Sequence, residues 1–591
     1  MSASEAPSMP PPSGNNSKLD HDILWIIFSI ITSHYPSPTE PTHTLHASPL
    51  TIIRRCSQVC TFWRDFILSS ESIWAKCIDL DCLAQGNNDW REEVLRRTGD
   101  IAPLYVVGLR PLPSQGVILK GNNNWRSEAL RKMGDVAPLY VRGRLALSFQ
   151  GGILAFLINL ISVYWERIQV LDVLLEQEKV LDDEKVLSAF CRPAPRLKEF
   201  SIRAAKHSID IWRPMIFTLP YFELFAGVAP NLTRFHLHSH THKIILPIHF
   251  RPLLLTLLTP RLRSLSIFQP LSLSIMDLLI ACSHIPNLEL LNISPLKLEA
   301  NTLTPSLHQV TLPRLHEIHI VCDQLEIYPE FLGQIVTHAD CRVSVATRLH
   351  RSERQSTDAG MMCFLDMLRI FQQHWHAFFD SKKHENGSII AVELSILEMV
   401  LNVNVKVEIH HDNDRRYPRL YLSAPSGQKF AAEIHNLVLD AIATLRFPTS
   451  LVHAKITLVL EHPPLHRDTL GRLCGALGSI KKLSTTPLFL LALSQLTAFD
   501  DSLLFPFLKK ISLYTEEAHR LDGATYIKPF FVNRHSKAPI DILYIFDERC
   551  RASLGNLEFL DEFAGMKVIC QTFEYVCGSG RPEKLDYSRS I

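Results

Sequence analysis

The chain has 591 residues, 46% hydrophobic and 20% charged, with 61 basic against 60 acidic side chains, enough material for more than one core. This balance excludes disorder throughout and offers no general attraction for a polyanion, so nucleic acid is not an expected partner. The 13 cysteines lie as singletons or loose pairs such as Cys56/Cys60 and Cys77/Cys82, with no C-x-x-C, which points to reduced, mostly packed thiols rather than a secreted disulfide framework.

Residues 1–17, MSASEAPSMPPPSGNNS, have neither a basic n-region nor an apolar h-region and are expected to form a disordered tail, not a signal peptide. From Leu19, the spacing of Leu24, Ile27, Phe28 and Ile31 predicts a helix with one apolar stripe, capped by Asp20 or Asp22 and ended by Pro36, Pro38 and Pro41. Leu50, Ile53 and Cys56 repeat the spacing. Val59, Phe62, Trp63, Phe66 and Ile67 make a third stripe, so periodicity predicts a small helical bundle over residues 18–80.

The order of these residues resembles the F-box pattern of fungal, basidiomycete-type F-box proteins. In that pattern a Leu-Pro-x-Glu-Ile-Leu-x-x-Ile-Phe opening precedes a Val-Cys-x-x-Trp helix and a terminal Leu-Trp. The matching positions are Leu19, Ile23, Leu24, Ile27, Phe28, then Val59, Cys60, Trp63, then Ile73 and Trp74. The match departs from the pattern where Asp20 replaces proline, where Asp22 replaces glutamate, and where residues 35–48 lengthen a loop.

Next comes a tandem duplication at an offset of 35 residues, GNNDWREEVLRRTGDIAPLYVVG from Gly86 and GNNNWRSEALRKMGDVAPLYVRG from Gly121. Each copy predicts a Trp-led amphipathic helix (Trp90, Val94, Leu95; Trp125, Ala129, Leu130), a Gly-Asp break and a Pro-Leu-Tyr-Val strand, so residues 81–150 read as a duplicated helix-strand linker. The run from Ile153 to Trp165 contains Asn159 and Ser162 and falls short of the roughly 20 residues that span a bilayer, which predicts a buried helix and no membrane partner.

Over residues 151–340 a Leu-x-x-apolar-x-apolar motif recurs at LKEFSI (Leu197), LTRFHL (Leu232), LRSLSI (Leu262), LELLNI (Leu288) and LHEIHI (Leu315), at offsets of 35, 30, 26 and 27. A proline stands two residues earlier each time, at Pro195, Pro230, Pro260, Pro286 and Pro313, which predicts a short strand after a fixed turn. With apolar helical stretches between strands, this period predicts an irregular leucine-rich-repeat-like α/β solenoid. LKKISL (Leu508) and IDILYI (Ile540) extend it as a degenerate continuation over 341–591. Between 341 and 500 the register is lost: FLDMLRIFQQHWHAFF predicts a helix, and IAVELSILEMVLNVNVKVEI reads only as apolar segments.

The sharpest chemical candidate is the row His236, His238, His240 and His242, which period two sets on one side of a strand. Phe235 and Leu237 take the inward positions and no second-shell carboxylate stands near, so a solvent-facing strand edge is the simpler expectation and no metal is assigned. HHDNDRR from His410 lacks the spacing, glycine and closing glutamate of a cation loop. No phosphate cradle, nucleophile elbow or zincin string occurs, so no catalytic residue or cofactor is assigned.

The F-box resemblance implies a substrate-recognition adaptor of a cullin-RING ubiquitin ligase, intracellular in cytoplasm or nucleus. Leu19, Ile23, Leu24, Ile27, Phe28, Val59, Cys60 and Trp63 would be the docking and supporting set for a Skp-type adaptor, with the cullin reached through it. A solenoid would then bind a target protein on the variable strand positions of its concave face, Ser201, His236, Ser266, Asn292, His319, Ser512 and Tyr544. The competing expectation is a free-standing repeat scaffold for protein interactions that recruits no ligase.

Overall fold

The computed structural model describes residues 20–33, 49–78, 88–98, 104–107, 137–145, 152–175, 184–204, 224–239, 259–299, 309–322, 327–338, 341–347, 365–366, 368–370, 372–373, 389–399, 402–411, 419–425, 428–444, 447, 451, 453–459, 466–497, 503–514, 522–546, 554–570 and 573–586. The architecture is mixed α/β with parallel sheets, and the described strands close no barrel. Two compact units result, residues 1–211 with 223–232, and 212–222 with 233–591.

The first unit opens with helices α1 (His21–Ser33), α2 (Pro49–Cys56), α3 (Thr61–Ser69) and α4 (Glu71–Lys76). Asp20 starts α1, its carboxylate accepting from the Asp22 N–H at 3.4 Å. Leu24, Phe28 and Thr32 follow at helical spacing and are fully buried. The Phe28 ring meets Trp63 at 5.3 Å and Phe66 at 6.0 Å, seating α1 on α3. Trp74 Nε1 donates to the Ile67 carbonyl at 2.8 Å, so the buried indole leaves no orphan donor. One expectation needs correction: Val59 does not belong to the α3 stripe. The Cys60 side chain caps α3 by accepting from the Trp63 N–H at 3.4 Å, so the helix begins at Thr61 and leaves Val59 in the preceding turn, 64% exposed.

Helix α5 (Asn88–Thr98) packs on α4, where the Arg97 guanidinium lies 5.4 Å over the Trp74 ring. Strand β1 (Leu104–Val107) then pairs in parallel with β2 (Leu139–Leu145) as Leu104↔Leu139, Tyr105↔Tyr140 and Val106↔Val141. The sequence duplication is thus also the register: equivalent residues stack on each other. The second copy's helix lies outside the described residues.

The apolar run forms helix α6 (Gly152–Tyr164), with Phe156, Leu157, Leu160 and Ile161 buried. No helix among the described residues is long and apolar enough to cross a membrane. Strand β3 (Ile168–Leu175), helix α7 (Glu184–Phe190) and strand β4 (Glu199–Ala204) complete a four-stranded parallel sheet, with Trp165, Phe190, Phe200 and Phe225 packed together in its core.

The second unit continues the turn-strand repeat through β5 (Arg234–Ser239), β6 (Ser264–Ser274), helix α8 (Ile275–Ser283), β7 (Leu290–Glu299), β8 (Val310–Leu312), β9 (Glu317–Cys322), helix α9 (Ile327–Gly333), β10 (Ile335–Thr337) and β11 (Arg342–Thr347). Strands β5, β6, β7, β9 and β11 pair in that order, all parallel, while β8 and β10 form a separate two-stranded ladder. The turn before each motif strand is the same. The N–H of Leu262, Leu288 and Leu315 donates to the carbonyl three residues back, which places Pro260, Pro286 and Pro313 at the second turn position that their fixed φ favours. Each of these leucines is almost fully buried.

Where periodicity lost the register, the sheet continues by other means. Strands β12 (Ile389–Met399), β13 (Asn402–His411) and β14 (Arg419–Pro425) form an antiparallel meander, with β14 parallel to β11 and β12 parallel to the next strand, β15. The helix expected near Phe364 is described at residues 365–366, 368–370 and 372–373. After helix α10 (Gln428–Ala443), the parallel order resumes through β15 (His453–Val459), helix α11 (Arg467–Ala476), β16 (Lys482–Thr485), helix α12 (Pro487–Thr497) and β17 (Lys510–Leu513). Helices α13 (Gly523–Tyr526) and α14 (Lys528–His535) lead to β18 (Ile542–Ile545) and β19 (Lys567–Cys570), and antiparallel β20 (Phe573–Val576) ends the order. Arg534 on α14 is buried and its guanidinium donates to the carbonyls of Leu504, Phe505 and Leu508, closing the turn before β17.

Candidate protein-docking surfaces

Helix α1 is apolar on two sides. Leu24 and Phe28 fill the bundle core, whereas Ile23, Ile26 and Ile30, spaced i, i+3 and i+7, remain 46%, 52% and 57% exposed, with Ile27 half-buried beside them. Trp25 is held to α4: its Nε1 donates to Ser72 Oγ at 3.1 Å, and the Lys76 ammonium sits 5.0 Å over its ring. Lys76 also donates to Ser29 Oγ at 3.1 Å, and its pKa is lowered, mainly by burial.

The eight residues singled out on the bundle therefore divide by role. Ile23, Val59 and Cys60 face solvent, Ile27 and Trp63 are half-buried, and Leu24 and Phe28 are core residues that can only support a docking surface. Leu19 lies outside the described residues. Ile26 and Ile30 escaped the sequence reading, although HDILWIIFSIITS carries their signal: a helix apolar on more than one stripe has more than its own core to cover.

On the second unit's sheet, His236, Ser266, Asn292 and His319 stand side by side on β5, β6, β7 and β9, with Ser344 of β11 next in the row. His236 Nε2 lies 2.7 Å from Ser264 Oγ and His319 Nδ1 lies 2.8 Å from Ser344 Oγ. The His238 ring stacks on Phe268 at 4.1 Å, and Phe268 faces His319 at 6.3 Å. Burial lowers the His319 pKa against an opposing effect of Glu317, so its imidazole favours the neutral form. Asn292 keeps a buried Oδ1 without a hydrogen-bond partner in the centre of this row.

Ser512 and Tyr544 form a second such row on β17 and β18, and Ser201 takes the equivalent position on β4 of the first unit. Ser201, Ser266 and Ser512 are buried, because a short hydroxymethyl between longer neighbours is covered by them. They floor their faces and leave contact to residues around them. Lys482 and Lys510, two residues before Ser484 and Ser512, share the Ser512 face by strand alternation and were missed, although the period-two rule that selected Ser512 selects them as well.

No cluster of three histidine, cysteine or acidic side chains able to hold a metal exists among the described residues. His236 and His238 engage serine and phenylalanine, and His240 and His242 lie outside the described residues. Of the HHDNDRR segment, His410 is in β13, while Asp412 and Asp414 lie outside the described residues. Compared with protein-family models and with curated protein sequences, the chain matches none.

Proposed function

We propose that the chain is a non-catalytic adaptor in which α1–α4 dock a Skp-type subunit of a cullin-RING ubiquitin ligase and a polar sheet face binds the protein to be modified. The observation that carries this reading is the isoleucine stripe Ile23, Ile26 and Ile30, left in solvent on a helix whose other side already fills a core. An exposed apolar stripe of this kind marks a docking surface, and a few apolar anchors then dominate the binding energy. The F-box-like order of Ile23, Leu24, Ile27, Phe28, Val59, Cys60 and Trp63 gives that surface its proposed partner. In this reading His236, Asn292, His319 and Tyr544 of the second unit contact the target, with Ser266 and Ser512 beneath, while Ser201 floors the first unit's own sheet face.

The test is co-purification of the full chain with the host's Skp-type adaptor, comparing wild type with Ile23→Asp plus Ile30→Asp. Both positions are exposed, so circular dichroism should not change, while adaptor retention should fall about tenfold or more. A well-folded wild type that retains no adaptor would end the ligase reading and leave the free-standing interaction scaffold in its place.

A further inference from the structure

The polar face of β15–β19 carries an uneven charge. His453, Lys482, Lys510, Ile542 and Lys567 form one row across the strands, and Lys455, Ser484, Ser512, Tyr544 and Ile569 form the next. The opposite face supplies core residues Leu483, Ile511, Leu513, Leu543, Ile545 and Val568, all buried, so the cations are confined to one side.

Two lysines cross over a neighbouring strand. The Lys455 ammonium of β15 lies 5.4 Å over the ring of Tyr514, just past β17, and the Lys482 ammonium of β16 lies 6.0 Å over the ring of Tyr544 on β18. The strand crossed in each case presents a buried serine, Ser484 or Ser512, and a longer side chain there would stand in the path. The Tyr544 ring stacks on Phe546 at 5.9 Å, and Phe546 is largely exposed, forming an aromatic shelf beside the cations.

Two carboxylates near this face are paired: Glu574 binds Lys567 at 2.9 Å and Asp541 faces Lys509 at 3.5 Å. Lys482 and Lys510 occupy directly paired positions on adjacent strands, and neither has a carboxylate partner among the described residues. Two like charges therefore share one sheet face from paired strand positions, and an anion bound beside them would relieve their mutual repulsion.

We propose that this face is the seat of an acidic, extended segment of the partner protein, with Asp or Glu carboxylates on Lys482 and Lys510 and an adjacent apolar residue on Tyr544 and Phe546. The inference rests on the reading of the sheet's polar face as a target-binding surface, and it specifies the chemistry of that target. Charge complementarity selects the occupant: two ammonium groups without a carboxylate partner among the described residues, one of them over the Tyr544 ring, fit carboxylates next to an apolar anchor.

The experiment uses the full chain and a fluorescein-labelled Asp/Glu-rich peptide with one central Leu, set against the same peptide carrying Asn and Gln in place of the acids. Fluorescence anisotropy should show binding of the acidic peptide alone, weakening as salt is raised. Lys482→Glu plus Lys510→Glu should weaken it about tenfold or more, whereas Lys482→Arg plus Lys510→Arg should retain it. Equal affinity for the two peptides, or an undiminished affinity in the well-folded Glu variant, would overturn the proposal. Skp-type adaptor capture, measured on the same samples, is read separately, so its loss or survival tests the docking helices and not this face.

Discussion

At the scale of single residues, the cysteines show how burial governs reactivity. Burial pushes the thiols of Cys282 and Cys341 up to about 12, and those of Cys77 and Cys474 higher still, because the interior cannot hydrate a thiolate. Cys60 and Cys191 are exposed, although partial burial also raises the pKa of Cys191. Among the cysteines of the described residues, N-ethylmaleimide near neutral pH should therefore label Cys60 first and Cys191 next, with Cys77, Cys282, Cys341 and Cys474 reacting only after unfolding. Site-resolved mass spectrometry checks this order, and early labelling of Cys282 or Cys474 would contradict their packing. The scattered spacing already pointed to reduced, mostly packed thiols; which of them are sealed depends on the elements packed around each one.

At the scale of the element, the proline turn and its leucine are the unit from which both sheets grow. The turn proline's carbonyl takes a further bond from the next repeat: Asn231 Nδ2 donates to Pro195 O at 2.7 Å, and Asn287 Nδ2 donates to Pro260 O at 2.8 Å. These bonds tie successive turns together at the surface, while the adjoining leucine anchors the interior. Asn287→Ala should accordingly cost about 1 kcal/mol, and Leu288→Ala, which empties a fully buried site, about 2–5 kcal/mol. Urea denaturation of the two variants measures the difference, and an equal loss for both would mean that the turn bond matters as much as core packing. The turn, leucine and strand were legible in the sequence because all three act over one short stretch of chain, such as Pro260 to Ile267. Helix α3 was legible in kind but not in its start, since Cys60 as a cap competes with Val59 as one more apolar position, and backbone hydrogen bonding settles the matter.

At the scale of the whole molecule, the decisive feature is how the second unit keeps its sheet continuous. Strands β11 and β15 do not meet: the meander β14, β13, β12 stands between them, four strand spacings or about 19 Å across. Deleting residues 389–425 should thus expose two long parallel edges and drive the chain into aggregates, which light scattering and size exclusion would detect. A monomeric, well-folded deletion variant would show that β11 and β15 can pair directly. The sequence by itself determined the helical bundle, the stripe of Leu24 and Phe28, the duplicated strand and the proline-led strands, because helix period, strand alternation and turn chemistry are local. Tertiary structure alone decided that the meander bridges the parallel runs, that Ile23, Ile26 and Ile30 remain in solvent, and that Lys482 and Lys510 become neighbours. Strand partners and burial are set by contacts between residues distant in the chain, which no local period encodes.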